Sequence, residues 1–209
     1  ICLESSFTQS TVPQNSISKL SYLVADSRSE PTQLCRPHLN STNCPNQGTF
    51  RIGPPNQPVT LIGSSFGGLT AAWVAERSPQ VERLILLAPA FDFLDHWLPR
   101  LGADQLKQWE TQGVISVYHY RDQAMQPLRH TFLSDAQTYD ASTLGRSCPT
   151  LIIHGQQDEV IPINSSRAYA QSRPWVELIA VDSDHALANV SAEIWDAVRS
   201  FCNLGDCQP

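Results

Sequence analysis

The sequence has 209 residues, of which 41% are hydrophobic and 16% are charged, enough apolar material for one domain with its own core. The net charge is −6 and no run of Lys or Arg forms a basic stripe, which argues against nucleic acid or an anionic membrane as a partner. No stretch approaches the roughly 18 consecutive apolar residues of a membrane span, and the first residues lack a leader pattern, so we expect a cytoplasmic protein.

The chain divides into two parts of different composition. Residues 1–58 are rich in Ser, Thr, Asn, Gln and Pro, which is typical of loops or disordered segments. Residues 59–209 alternate short apolar runs with amphipathic segments, and this alternation predicts an α/β domain with a parallel sheet. The predicted strands of this domain are 59–63, 81–90, 150–155 and 176–181, and its predicted helices are 68–78, 165–173 and 191–203. Residues 92–140 interrupt the alternation and predict a short helical cap.

A glycine-flanked serine lies between the first predicted strand and helix. Gly63, Ser65 and Gly67 fit the pattern G-x-S-x-G, in which a sharp strand-to-helix turn exposes the serine above the carboxyl end of a sheet. Side chains at the two glycine positions would collide with the backbone of such a turn. The following helix would start just after this turn, so the N–H of Phe66 is a candidate oxyanion donor. The neighbouring Ser64 should point away. The pattern alone also fits a glycine-rich turn or a phosphate-binding loop.

Two further loops supply the groups that a serine nucleophile needs. Asp158 follows the strand 150–155, and His185 follows the strand 176–181. Because parallel strands end at one edge of a sheet, both side chains should emerge beside Ser65. A histidine can take the serine proton, and a carboxylate can orient that histidine. The sequence therefore predicts Ser65 as nucleophile, His185 as general base and Asp158 as orienting acid.

The motifs GSSFGG, HGQQDEVIP and DSDHAL resemble the α/β-hydrolase superfamily, in particular the small bacterial YqiA-like esterases of the cyanobacterial type. The resemblance covers about residues 59–204. It implies the α/β-hydrolase fold, a mostly parallel sheet with helices on both faces, and the order Ser65, Asp158, His185 for the catalytic residues. It also implies hydrolysis of a small acyl ester or thioester without a cofactor.

The resemblance stops before the nucleophile strand. Family members usually begin with a strand ending in His-Gly, whose loop supplies a second oxyanion donor, and residues 1–58 contain no such pattern. The first strands are therefore atypical or missing. Three explanations would account for the missing pattern: a shifted reading frame, a damaged gene, or a divergent but genuine segment. Loss of one oxyanion donor would slow turnover on the order of 100- to 1000-fold, so a catalytically silent protein is an alternative to the esterase.

Other assignments remain open at the level of sequence. A peptidase or a perhydrolase could use the same three residues. Asp182, Asp184 and Glu159 are rivals of Asp158, while His154 at the end of a strand fits a hydrogen-bonded structural residue. No histidine or cysteine group has the spacing of metal ligands, so no metal is predicted. Three aromatic residues of the cap could line an acyl pocket or pack the cap against the sheet: Trp97, Trp109 and Tyr118.

Overall fold

The computed structural model describes residues 58–119 and 124–204. The predicted N-terminal segment, apart from its last residue, lies outside these residues. Six strands are present in the described part: Val59–Ser64 (β1), Val81–Leu87 (β2), Val114–His119 (β3), Ala124–Arg129 (β4), Thr150–Gly155 (β5) and Val176–Val181 (β6). The α-helices of the same part are Phe66–Arg77 (α1), Phe93–Gln112 (α2), Thr131–Ala136 (α3), Ile163–Gln171 (α4) and Ser191–Cys202 (α5).

Four of the strands form a parallel sheet in the order β1-β2-β5-β6. Their carboxyl ends therefore lie at the same edge, where the loops after β1, β5 and β6 meet. The predicted parallel sheet is confirmed. The predicted strand 81–90 ends earlier, at Leu87, because the backbone turns at Ala88, which has a φ of 42°.

The core lies on both faces of the sheet. Leu86 and Ile152 point to one face, where they pack with α1 and with Tyr169 of α4. Ile85 and Ile153 point to the other face and pack with residues of α5. Strands that are buried on both faces read as continuous apolar runs, which explains sequences such as LILL and TLII. The predicted helices on both faces of the sheet are confirmed.

The segment 92–140 contains more than helices. Helix α2 is interrupted at Gly102, where φ is 75° and ψ is 161°. Strands β3 and β4 then form an antiparallel hairpin before the short helix α3. The helical cap expected over 92–140 did not include this hairpin. Pro127 lies within β4, and proline within a run argues against a strand except at an edge. The indole N–H of the fully buried Trp109 donates a hydrogen bond to the carbonyl oxygen of Leu128 (2.9 Å), which joins α2 to β4.

Candidate active site

Ser65 occupies the turn between β1 and α1 in a rare backbone conformation. Its φ is 52° and its ψ is −121°. A non-glycine residue at such angles costs about 1–3 kcal/mol and persists only where its surroundings hold it. Two backbone hydrogen bonds with the end of β2 and the residues after it hold Ser65 in this conformation. The backbone N–H of Ser65 donates to the carbonyl oxygen of Leu87 (2.8 Å), and the N–H of Ala90 donates to the carbonyl oxygen of Ser65 (2.9 Å).

The glycines around Ser65 let the turn close. A Cβ atom on Gly63 would lie 2.3 Å from the carbonyl oxygen of Gly67 and 2.8 Å from the Cα of Gly68. The strand and the helix therefore approach each other closely at this point. Gly68 has a similar role that the sequence analysis did not assign: a Cβ there would lie 3.0 Å from the Cβ of Pro89. The sequence feature that could have indicated this role is the second glycine of the pair Gly67-Gly68.

The structure brings Ser65, His185 and Asp158 together in one hydrogen-bonded series. Ser65 Oγ lies 2.9 Å from His185 Nε2, and His185 Nδ1 lies 2.6 Å from Asp158 Oδ2. All three residues are buried. Ser65 and His185 are 120 positions apart in the chain, so this contact depends entirely on the parallel arrangement of the strands. Ser64, by contrast, is exposed.

The carboxylate of Asp158 accepts hydrogen bonds on both oxygens. Oδ1 accepts from the backbone N–H groups of Val160 (2.9 Å) and Ile161 (2.8 Å), while Oδ2 accepts from His185. Burial by itself would raise the pKa of Asp158. The hydrogen bonds from His154, His185 and Ile161 outweigh the burial and hold this pKa well below its usual range. Asp158 is therefore ionised at neutral pH, as an orienting carboxylate must be.

The rival carboxylates have other partners. Asp182 accepts a hydrogen bond from the side chain of Gln157, and Asp184 accepts one from the backbone N–H of Ala186 (2.9 Å). Glu159 is exposed, and Arg100 of α2 donates to its backbone carbonyl oxygen, not to its carboxylate. The geometry therefore favours Asp158 as the partner of His185.

Gly155 is a second residue that the sequence analysis missed. It ends β5, and a Cβ atom there would lie 2.3 Å from the carbonyl oxygen of Ser183 and 2.5 Å from that of Asp184. The loop that carries His185 thus rests directly on the backbone of Gly155. The sequence feature that could have indicated this role is the motif HG, in which Gly155 stands between His154 and the loop that carries Asp158.

The beginning of α1 lies next to Ser65. Phe66 is the first residue of this helix, and the first N–H groups of a helix have no acceptor within it. The first turn of α1 contains no acidic residue, so nothing there offsets the positive end of the helix dipole. The N–H of Phe66 therefore stays the candidate donor to a developing oxyanion.

An aromatic cluster connects Phe66 with the cap. The ring of Phe66 lies 5.8 Å from that of Phe93 and 6.0 Å from that of Phe132, between centroids. Trp97 stacks on Phe93 at 5.3 Å and meets Trp109 edge to face at 5.6 Å. Phe66, Phe93, Trp97 and Phe132 are each partly exposed, whereas Trp109 is fully buried and packs the cap. Tyr118 lies in β3, but its side chain is not among the parts that the structure describes.

Within residues 58–119 and 124–204, no three His, Cys, Asp or Glu side chains lie close enough together to hold a metal ion. In the same residues, no helix has the length and apolar character needed to cross a membrane.

Residues 46–202, more than half of the chain, match the sequence model of the family described as Uncharacterised protein family (UPF0227). The chain belongs to this family. The resemblance to YqiA-like esterases stated from the three motifs is thereby confirmed. The match begins at residue 46, within the segment 1–58 that the sequence analysis had set apart from the domain.

Several characterised relatives are similar to parts of this UPF0227 chain. The human mitochondrial palmitoyl-protein thioesterase ABHD10 is 29% identical over 117 residues, which are 54% of this chain and 38% of the human protein. The rat protein of the same name is 27% identical over 156 residues, 71% of this chain and 51% of the relative. The chain thus spans about half the length of these relatives, or less.

Solved structures show the fold of the described part. Mouse α/β-hydrolase domain-containing protein 10 is 25% identical with a TM-score of 0.57, over 71% of this chain and 63% of the mouse chain. Est1E from Butyrivibrio proteoclasticus, solved with ferulic acid, is 21% identical with a TM-score of 0.58, over 70% of this chain and 59% of Est1E. The predicted α/β-hydrolase fold is confirmed.

Proposed function

We propose that this UPF0227 protein is a serine hydrolase that cleaves small carboxylic esters or thioesters through an acyl-enzyme on Ser65. One observation carries the proposal: Ser65 Oγ, the two ring nitrogens of His185 and the carboxylate of Asp158 form a continuous hydrogen-bonded series, with contacts of 2.9 and 2.6 Å. This arrangement converts a weakly nucleophilic hydroxyl into a reactive one.

The acylation step uses all three side chains. His185 Nε2 takes the proton of Ser65 as Oγ attacks the acyl carbon, which becomes tetrahedral and bears an oxyanion. The N–H of Phe66 donates to this oxyanion. Asp158 holds the Nδ1–H of His185 and stabilises the imidazolium while it exists. The Nε2 proton then passes to the leaving oxygen or sulfur, the acyl–heteroatom bond breaks, and an alcohol or thiol departs.

Deacylation repeats the same proton transfers with water. His185 Nε2 takes a proton from a water molecule, whose oxygen attacks the acyl carbon of the Ser65 ester. The proton then returns to Ser65 Oγ as the acid product leaves. The only reactants are the ester or thioester and water, so no cofactor takes part.

Two features bear on the substrate. The relatives named palmitoyl-protein thioesterase favour a thioester, although each match covers only part of the relative. The partly exposed rings of Phe66, Phe93, Trp97 and Phe132 give the region beside Ser65 an apolar surface, which suits an apolar acyl group. The proposed substrates therefore include esters and thioesters of apolar acids.

The test is covalent labelling of the full chain with a fluorophosphonate probe, combined with turnover of p-nitrophenyl esters and acyl thioesters. Wild-type protein should be labelled and should turn over at least one of the two substrate classes. Ser65→Ala and His185→Ala should lose labelling, and turnover should fall on the order of 10⁴- to 10⁶-fold. Ser64→Ala is the matched control, because this exposed serine lies next to Ser65 and should keep wild-type labelling.

Three results would overturn the proposal. A folded wild-type protein without labelling and without turnover would indicate a catalytically silent member of the fold. Labelling that persists in Ser65→Ala would place the nucleophile elsewhere. Labelling on Ser65, with turnover of peptides or peracid formation instead of ester or thioester cleavage, would keep the nucleophile and replace the proposed reaction.

A further inference from the structure

A second histidine, which the proposed reaction does not use, lies behind the carboxylate of Asp158. His154 belongs to β5 and is fully buried, with no exposed surface on its side chain. A buried imidazole needs a hydrogen-bond partner for each ring nitrogen, because an unsatisfied polar group in the core costs about 1–3 kcal/mol. His154 has partners on both nitrogens, and one of them is the proposed catalytic carboxylate.

The contacts of His154 define which nitrogen carries a proton. Nε2 lies 2.9 Å from the carbonyl oxygen of Ile161 and 3.1 Å from Asp158 Oδ2. Both of these atoms are acceptors only, so Nε2 must bear a hydrogen, which it donates to Ile161 while it also lies within reach of Asp158 Oδ2. Nδ1 lies 2.8 Å from Oγ of Ser166, which is also fully buried. In the neutral ring, the Ser166 hydroxyl donates to Nδ1 and fixes the Nε2–H tautomer.

The two histidines meet at one carboxylate oxygen. Asp158 Oδ2 accepts from His185 Nδ1 at 2.6 Å and lies 3.1 Å from His154 Nε2, while Oδ1 accepts from the two backbone N–H groups of the following loop. An ionised carboxylate has about four acceptor positions, and these three donors together with the nearby Nε2 of His154 surround them. The carboxyl plane is therefore fixed from both sides, and with it the direction in which Asp158 presents Oδ2 to His185.

We propose that His154 is a positioning residue for the hydrolase: its Nε2–H holds Oδ2 of Asp158 in the plane of the His185 ring, and Ser166 holds His154 in the tautomer that can do so. The inference rests on the proposed function, since it assigns a role within the same site. The hydrogen bond from His154 is also the largest of the contributions that lower the pKa of Asp158 against the effect of burial.

This role has a consequence for the pH profile. A carboxylate that loses one donor keeps more negative charge on Oδ2 and holds a protonated His185 more strongly. The acid limb of kcat/KM, below which the base of the reaction is protonated, then lies at a higher pH. A residue that only filled space behind the site would change stability, without moving the acid limb of kcat/KM.

The experiment compares pH profiles of kcat and KM for matched variants. His154→Phe keeps a planar ring and removes the donor, whereas His154→Gln places an amide N–H near the position of Nε2. Ser166→Ala removes the group that fixes the tautomer. Ser165→Ala is the matched control, because this neighbouring serine is equally part of α4 and buried but bonds to His96 instead, at 2.9 Å.

We expect His154→Phe to lower kcat about 10- to 100-fold with a smaller change in KM, because the three catalytic groups lose alignment. The acid limb of kcat/KM should move upward by about half a pH unit or more. His154→Gln should recover most of the wild-type kcat and most of the wild-type position of the acid limb. Ser166→Ala should show part of both changes, and Ser165→Ala should leave the acid limb in place. An unmoved acid limb in folded His154→Phe and Ser166→Ala would overturn the inference.

A second measurement covers the case in which His154→Phe does not fold. Long-range ¹H–¹⁵N correlation spectra of the wild-type protein report the tautomer of each histidine, independently of activity. His154 should carry its proton on Nε2, and Asp158→Asn should shift this resonance. Asp182→Asn is the control and should not. A ring without a proton on Nε2, or a resonance unaffected by Asp158→Asn, would contradict the proposed contact.

The two proposals fail in different ways. If wild-type protein is neither labelled nor active, the proposed hydrolase fails, and the NMR spectra still show whether His154 donates to Asp158. If wild-type protein is active and labelled on Ser65, but the His154 and Ser166 variants keep its pH profile, only the positioning role fails.

Discussion

Replacement of Gly63 by alanine should impair the candidate active site through a single methyl group. The added Cβ would lie 2.3 Å from the carbonyl oxygen of Gly67, 2.6 Å from its carbonyl carbon and 2.8 Å from the Cα of Gly68. All three contacts involve backbone atoms, which cannot rotate away as a flexible side chain would. The end of β1 and the first turn of α1 must therefore separate.

The size of this separation follows from the distances. To bring the shortest contact from 2.3 Å to the 3.0 Å limit for real Cβ atoms, the two segments must part by about 0.7 Å. Ser65 lies between them, and its Oγ is 2.9 Å from His185 Nε2. A displacement of this order costs roughly 100-fold in catalysis, since a misplacement of about 1 Å has that effect. Overpacking of this kind also costs about 1–3 kcal/mol in the free energy of unfolding.

The assay measures the rate of fluorophosphonate labelling and the urea unfolding curve of the same sample. Gly63→Ala should be labelled roughly 100-fold more slowly than wild type while it is still folded. Gly145→Ala is the control, because a Cβ there would have its nearest contact at 4.0 Å, and both measurements should stay close to wild type. Wild-type labelling and stability in Gly63→Ala would refute the reasoning that a sterically closed turn positions Ser65.

Two further predictions concern the loops after β5 and β6. Gly155→Ala would place a Cβ 2.3 Å from the carbonyl oxygen of Ser183, so it should displace the loop that carries His185 and slow turnover about 100-fold; unchanged single-turnover kinetics would contradict this. The depressed pKa of Asp158 stabilises the folded protein above the unfolded-state pKa of about 3.9, and this contribution is lost as pH falls towards the folded-state pKa. The difference in free energy of unfolding between wild type and Asp158→Asn, from urea titrations, should therefore shrink from pH 7 to pH 3; a difference independent of pH would show that the ionised carboxylate contributes nothing.

The sequence by itself determined the features that depend on neighbouring residues. The largely apolar runs of β1, β2, β5 and β6 and the intervening helices predicted the parallel sheet, because strands that are buried on both faces, such as β5, read as near-continuous apolar runs. The position of Ser65 after β1 and of His185 after β6 followed from the same pattern. Parallel strands bring such loops to one edge of the sheet, so local spacing was enough to predict that Ser65 and His185 belong to one site.

Only the tertiary structure decided the features that depend on distant residues. Whether Asp158 or the nearby Asp182 faces His185 depends on loop conformation, and the sequence left both open. The close contacts at Gly68 and Gly155 involve backbone from other segments of the chain, which no local pattern encodes. His154 could be read from sequence as a buried structural residue, but its 3.1 Å contact with Asp158 and its hydrogen bond to Ile161 exist only because the loop after β5 folds back over the end of that strand. Hydrogen bonds and steric contacts fall off within a few ångströms, so their partners are fixed only once the chain has folded.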